Sequence, residues 1–356
     1  MPRFTKSGIK ICFILVALFF VAPVVLRAQE QKPALPSVDS DPVRSPDPET
    51  AQPEEEIHRQ GKGFVLQTEV EEVVLNITVL EGKQVVQNLK GDEFRIFEDG
   101  VEQKILSFQH VDVPVSIGIV VDNSGSMMRK RPAVNKSALD LILASNPEDE
   151  AFIVNFADEA FIDQDFTSDV NKLKDGLGHI ESHGGTALYD AVVASADKLA
   201  MDAKRGKQVI IIITDGEDNA SEVNLELAIG RVQQLSGPVI YSIGLLFGDE
   251  MSHTEMRHAR RALELLSAET GGVAYFPKSM EEVDQIAAEV ARDIRSQYTI
   301  GYHSTKPSNV PGFRKINVEA QNASGGKLTV RTRTGYFPGP ANKKKTTTHN
   351  NEPEKR

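Results

Sequence analysis

The chain has 356 residues, more than one average domain, and its 40% hydrophobic and 26% charged residues are the mean composition of a soluble protein. A formal charge of -11 argues against a general nucleic-acid binder, which needs a basic face to neutralise phosphates. The tract Lys343-Lys344-Lys345 is too short to alter that balance and is read as part of a solvated tail.

Residues 1–28 have the layout of a secretory signal: Arg3, Lys6 and Lys10 precede an apolar stretch from Ile11 to Val25, and Ala28 offers a small residue for cleavage. The stretch is shorter than the roughly 20 residues of a spanning helix, so a cleaved signal is expected, with an N-terminal membrane anchor as the alternative. Cys12 is the only cysteine, and cleavage leaves a cysteine-free mature chain with no second apolar run of spanning length. Residues 29–61 are rich in Pro, Glu, Gln and Asp with almost no large apolar side chain. Such a segment cannot bury enough surface to offset chain entropy and is expected to be a disordered linker.

From 62 to 112 the texture is β. Val70, Val73, Leu75, Ile77 and Val79 alternate imperfectly, Phe94, Ile96 and Phe97 follow, Glu98-Asp99-Gly100 suits a hairpin turn, and Gln103 to Phe108 resumes a strand. From 113 to 296 short apolar runs alternate with helical stretches, the pattern of a parallel sheet covered by helices on both faces. Strands are predicted at 115–121, 151–156, 208–213, 238–245 and 273–276, and helices at about 129–145, 168–180, 187–204, 222–235, 255–270 and 279–296. Residues 297–338 return to β texture at Tyr298–Tyr302, Lys315–Ala320 and Lys327–Thr334, and 339–356 form a tail. Each β segment alone has few strands for a sandwich. The predicted architecture is therefore α/β, a doubly wound mostly parallel sheet, inserted into or flanked by a small β-sandwich built from 62–112 and 297–338.

Three polar segments carry the chemistry: Asp122-Asn123-Ser124-Gly125-Ser126, Gly184-Gly185-Thr186 and Thr214-Asp215-Gly216. Two follow the β-branched runs Val115–Val121 and Val209–Ile213, which read as strands buried on both faces. Side chains just past such strands gather at the carboxyl edge of an open α/β sheet, where ligands bind. Taken singly, each segment is an ordinary turn or helix cap. Taken in order, they bring five oxygen-bearing side chains, Asp122, Ser124, Ser126, Thr186 and Asp215, to one edge, and point to a divalent-cation site. Magnesium suits few carboxylates, neutral oxygens and retained waters; manganese and calcium are the other candidates.

This order resembles the metal-ion-dependent adhesion site of von Willebrand factor A domains, with all five positions intact. The resemblance implies that the Ser124, Ser126 and Thr186 hydroxyls touch the metal, that Asp122 and Asp215 reach it mostly through water, and that an Asp or Glu of a protein partner completes the shell. More narrowly, Leu89–Phe94, Phe97–Gly100 with Gln103, Tyr298–Tyr302 and Arg333–Phe337 look like the bacterial VWFA-related domain family typical of acidobacterial secreted proteins.

Other constellations are weaker. Asp190 is expected to cap the first turn of its own helix, and Asp218 and Asn219 to serve as loop and cap residues. The first strand is followed by neither a Gly-x-x-x-x-Gly-Lys nor a Gly-x-Gly-x-x-Gly segment, and no Gly-x-Ser-x-Gly elbow surrounds Ser124 or Ser126. His179 and His183 precede the threonine loop and are read as loop residues. His253 and His258 are five residues apart and do not share a helix face as a zinc pair would. Asp249 and Glu250 belong to a loop leaving the metal-bearing edge and form a possible partner-facing surface. With no general base beside the site, the chain is read as non-enzymatic: a secreted or periplasmic cation-dependent binding protein. The alternative is an envelope structural or assembly factor in which the cation chiefly stabilises loops.

Overall fold

The computed structural model describes residues 72–338, apart from 145, 179–181, 236 and 248–250. The expected signal, linker and tail, together with His179, Asp249 and Glu250, lie outside the described residues. Among the described residues no helix is long and apolar enough to cross a membrane.

Five strands come first: β1 (Glu72–Glu81), β2 (Gln84–Val85), β3 (Phe94–Glu98), β4 (Val101–Gln103) and β5 (Ile105–Gln109). The α/β region then runs β6 (Val115–Asp122), α1 (Arg131–Leu143), β7 (Glu150–Phe156), β8 (Ala160–Thr167), α2 (Val170–Gly178), α3 (Leu188–Asp202), β9 (Lys207–Thr214), α4 (Leu225–Gln234), β10 (Val239–Gly244), α5 (His253–Thr270), β11 (Ala274–Tyr275) and α6 (Glu281–Arg295). Four strands close the chain: β12 (Tyr298–His303), β13 (Arg314–Ala320), β14 (Thr329–Arg331) and β15 (Gly335–Tyr336).

The α/β sheet has the order β11-β10-β9-β6-β7-β8, parallel except for β8. Every residue of β6, β7 and β10 is buried, because helices cover both faces. One core holds Ile117, Ile119, Val121 and Ile213 against Val134 of α1 and Val290 of α6. The other holds Val120, Ile210 and Ile212 against Leu188 and Val192 of α3. Strand β8 was not predicted. It is the antiparallel edge of the sheet, and its polar run Asp163-Gln164-Asp165 with mostly half-buried positions masks any clean alternation.

The segments before and after the α/β region interlace in two sheets, β14-β1-β12-β5 with β2 beside β1, and β15-β13-β3-β4. Strand β1 pairs with β12 along Glu72–Ile77 and with β14 along Thr78–Leu80. Leu75, Ile77, Phe94, Ile96, Ile300 and Val318 fill the space between the sheets. The predicted strand Lys327–Thr334 proves to be a crossing: Thr329–Arg331 joins one sheet and Gly335–Tyr336 the other. The turn assigned to Glu98-Asp99-Gly100 rests on Asp99 and Gly100, with φ of 47° and 82°, the positive pair of a two-residue hairpin. Glu98 is instead a strand residue, 1% exposed, whose carboxylate accepts from Tyr302 Oη at 2.9 Å and Tyr336 Oη at 3.0 Å.

Helix α6 joins the two parts and leads into β12. Its Asp293 accepts from Tyr241 Oη of β10 at 2.6 Å and from Arg331 of β14, while Gln297 donates to Tyr241 Oη at 3.1 Å. Burial and the Asp293 charge push the Tyr241 hydroxyl well above its ordinary value, so it stays a donor. Asp293→Ala should strand Tyr241 and Arg331 and cost about 2–3 kcal/mol, a fall of roughly 5–10 °C in a thermal melt.

Lys207, at the start of β9, donates to the Ile294 carbonyl near the end of α6. Burial, with Arg295 adding repulsion, pushes its ammonium down to about 8. Between that value and the unfolded value of 10.5 the unfolded chain binds more protons, so this residue makes stability rise with pH. Urea unfolding from pH 7 to 10 should show that rise flattened in Lys207→Met.

Candidate metal centre

Strand β6 delivers Asp122 to the carboxyl edge, fully buried. Its Oδ1 accepts from the backbone N–H of Ser124 at 2.7 Å, and its Oδ2 accepts from Thr214 Oγ1 at 2.5 Å. Burial pushes this carboxyl above its ordinary range, the nearby Asp215 charge adds to the rise, and the Ser124 and Thr214 hydrogen bonds oppose it. The chain then makes a 3-10 turn, Gly125–Arg129, pinned to the core by the fully buried Met127. That turn places Ser126 Oγ 3.1 Å from Ser124 Oγ and 2.7 Å from Asp215 Oδ1, to which it donates. Strand β9 supplies Asp215 one residue past its end. The other oxygen of Asp215 accepts from Lys130 Nζ at 2.6 Å.

The threonine loop is held from three sides. Ala187 N–H donates to Ala157 O at 2.7 Å, Gly185 N–H to Asp158 Oδ1 at 2.7 Å, and Thr186 N–H to Asn219 Oδ1 at 2.8 Å. Both glycines are needed: Gly184 has φ 76°, and a Cβ on Gly185 would lie 2.7 Å from Asn219 Oδ1. The close approach they allow is to Asp158 and Asn219. A Cβ on Gly216 would lie 3.1 Å from Thr186 Oγ1 and 3.8 Å from Asp122 Oδ2, so the threonine hydroxyl and the Asp122 carboxylate both border this glycine.

Residues 117–217 match the family model of the von Willebrand factor type A domain. That stretch carries the family's match. Among curated proteins, the chain is 26% identical to human (Homo sapiens) inter-alpha-trypsin inhibitor heavy chain H6 over 217 residues, covering 54% of this chain and 16% of that one. It is 27% identical to heavy chain H4 of Bos taurus over 176 residues, covering 46% and 18%. The chain thus spans under a fifth of the length of these relatives. Among solved structures, a von Willebrand factor type A protein from Catenulispora acidiphila aligns at TM-score 0.43 and 14% identity, covering 76% of this chain and 74% of that one. The vWF domain of the type V pilus tip protein Mfa5 from Porphyromonas gingivalis aligns at TM-score 0.43 and 13% identity, covering 52% and 96%. These structural likenesses are too remote to bear on function.

All five oxygen-bearing residues singled out in the sequence stand at one edge of the A domain. Among the described residues no group of three or more His, Cys, Asp or Glu is placed to hold a metal. The donor set fits a hard divalent ion: neutral hydroxyls with two buried carboxylates behind them. One carboxylate already carries a cation, Lys130. A second cation, Arg131, is 6% exposed, donates to Asn155 Oδ1 at 3.1 Å, and is pushed down to about 10 by burial while Asp122 and Asp163 oppose the fall.

Asp190 does not cap its own helix. It sits in the first turn of α3 and accepts from the N–H groups of Glu222 and Val223, at 2.8 and 3.1 Å, tying the Asp215 loop to α3. The cap on α3 is Asp218, which accepts from Tyr189 N–H at 3.0 Å and from the Ser221 hydroxyl at 2.5 Å. His183 is an exposed loop residue, and His258 of α5 pairs with Glu217 at 2.9 Å. Beside the five residues, Leu245, Leu246, Phe247, Met251 and Met256 wall a cavity of about 250 Å³ that Lys130 and Asp215 also line.

Lys130 and Asp158 had no sequence signal of their own, and Thr214 was marked only as the neighbour of Asp215. Thr214→Val should leave Asp122 Oδ2 without its donor and lower stability by about 1–3 kcal/mol, measured by denaturant unfolding of the metal-free protein.

Proposed function

We propose that this chain is a secreted or periplasmic, non-catalytic protein-binding module whose A domain works through a divalent cation. The Ser124, Ser126 and Thr186 hydroxyls hold magnesium, or manganese or calcium, and Asp122 and Asp215 act mostly through water. When bound, the ion supplies an electrophilic position that accepts an Asp or Glu carboxylate from a protein partner. The observation that carries this reading is the linked array Ser124 Oγ, Ser126 Oγ and Asp215 Oδ1, at 3.1 and 2.7 Å, with the Thr186 hydroxyl and the Asp122 carboxylate both bordering Gly216. Each protein group has a separate task. Thr214 aims the Asp122 carboxylate, Asp158 and Asn219 fix the threonine backbone, and buried Arg131 offsets charge beneath the site. Keeping the ligands neutral leaves the ion most of its charge for the incoming carboxylate.

Panning a phage library of Asp- and Glu-containing peptides on the immobilised protein in magnesium should return clones that chelator elutes. Thr186→Ala, folded by circular dichroism, should return none. Equal recovery on Thr186→Ala would remove the ion from recognition and favour an envelope assembly role with a cation that only steadies loops. Calorimetric titration should likewise show magnesium affinity reduced about 10–100-fold by Asp122→Ala.

A further inference from the structure

We infer that Lys130 is a built-in counter-cation that competes with the metal for Asp215, so that loading the site requires its ammonium to swing off that carboxylate into the adjoining cavity. The inference rests on the cation-site reading above and adds a residue to it. Lys130 Nζ lies 2.6 Å from Asp215 Oδ2, with the Asp215 side chain fully buried and the lysine side chain 14% exposed. The other oxygen, Oδ1, takes the Ser126 hydroxyl. Both oxygens of the carboxylate are therefore engaged, one of them by a full positive charge.

An ammonium carries three donors and no acceptor. It cannot ligate a metal, cannot accept from a metal-bound water, and repels a divalent ion at short range. Lysine and metal thus oppose each other at Asp215. The charge count is consistent: Asp122 and Asp215 are matched by Lys130 and Arg131. Only one of those two is able to leave. Arg131 is buried, whereas Lys130 stands where the 3-10 turn ends and α1 begins, its backbone N–H fixed on Met127 O at 2.8 Å and its ammonium carried on a flexible four-carbon stem. The place for it to go is present. The cavity of about 250 Å³ opens beside Lys130, the acidic residues Glu217, Asp218 and Glu255 are among those that line it, and the Phe247 ring lies 5.6 Å from Nζ.

Isothermal titration of manganese and magnesium into the full chain and its Lys130→Met variant tests this. Lys130→Met should bind roughly tenfold tighter or more, and in chelator it should melt below the wild type, with the gap closing in saturating metal. Binding by the variant alone would support the inference in its strongest form. Unchanged or weaker binding by a folded Lys130→Met would overturn it, since the lysine would then be orienting Asp215 for the ion. Binding by neither protein would overturn the site reading and this inference together. A footprint on the wild type needs no variant: acylation of Lys130, read by mass spectrometry, should increase on adding magnesium, and unchanged or reduced labelling at saturation would contradict the exchange.

Discussion

The carboxylate of Asp122, held out of water at the end of β6, sets the terms for everything around it. A buried carboxylate must be hydrogen-bonded or paired, and each group that answers this need comes from a different part of the chain. The Ser124 N–H comes from the turn that follows, and the Thr214 hydroxyl from the neighbouring strand. Arg131 lies in the first turn of α1. Satisfying one acid therefore fixes the spacing of β6 and β9 and the entry to α1. The same groups bring Ser126 onto Asp215 and leave a cluster of oxygens pointing away from the sheet.

Placement of that cluster depends in turn on what lies behind it. Helix α1 carries the turn bearing Ser126 and Lys130, and it packs on α6, where Ser137 and Lys136 both donate to Asp284 at 2.6 and 2.8 Å. Helix α6 is tied at its far end by Asp293 to Tyr241 and Arg331 and runs into β12 of the sandwich. The candidate-site edge and the sandwich are thus joined by one run of packed helices. The sandwich has its own buried acid, Glu98, held by two tyrosine hydroxyls and by Arg314 at 3.5 Å. Both halves of the molecule hold a buried carboxylate by donors drawn from distant segments.

What the sequence made legible follows from how local each signal is. Val115–Val121 and Val209–Ile213 announce buried parallel strands through a composition rich in β-branched residues, and Asp122, Ser124, Ser126 and Asp215 then follow from their place after these runs and from the resemblance. Alternation of Leu75, Ile77 and Val79 reported a sandwich face, and all three prove buried. Strand β8 escaped because an edge strand needs no apolar run. The switch of β1 from β12 to β14, and the split of 327–334 between two sheets, are matters of register that composition does not encode. Lys130, and the role of Thr214, were missed for a related reason. Their partners, Asp215 and Asp122, lie 85 and 92 residues away along the chain, and nothing nearby in sequence distinguishes them from a surface lysine and a strand-end threonine.

The most direct test of the central claim is an anomalous-difference map from crystals of the full chain soaked in manganese. The account expects one peak ligated by Ser124 Oγ, Ser126 Oγ and Thr186 Oγ1, with Lys130 Nζ withdrawn from Asp215. A map with no peak among these hydroxyls, and the lysine still seated on Asp215, would contradict it.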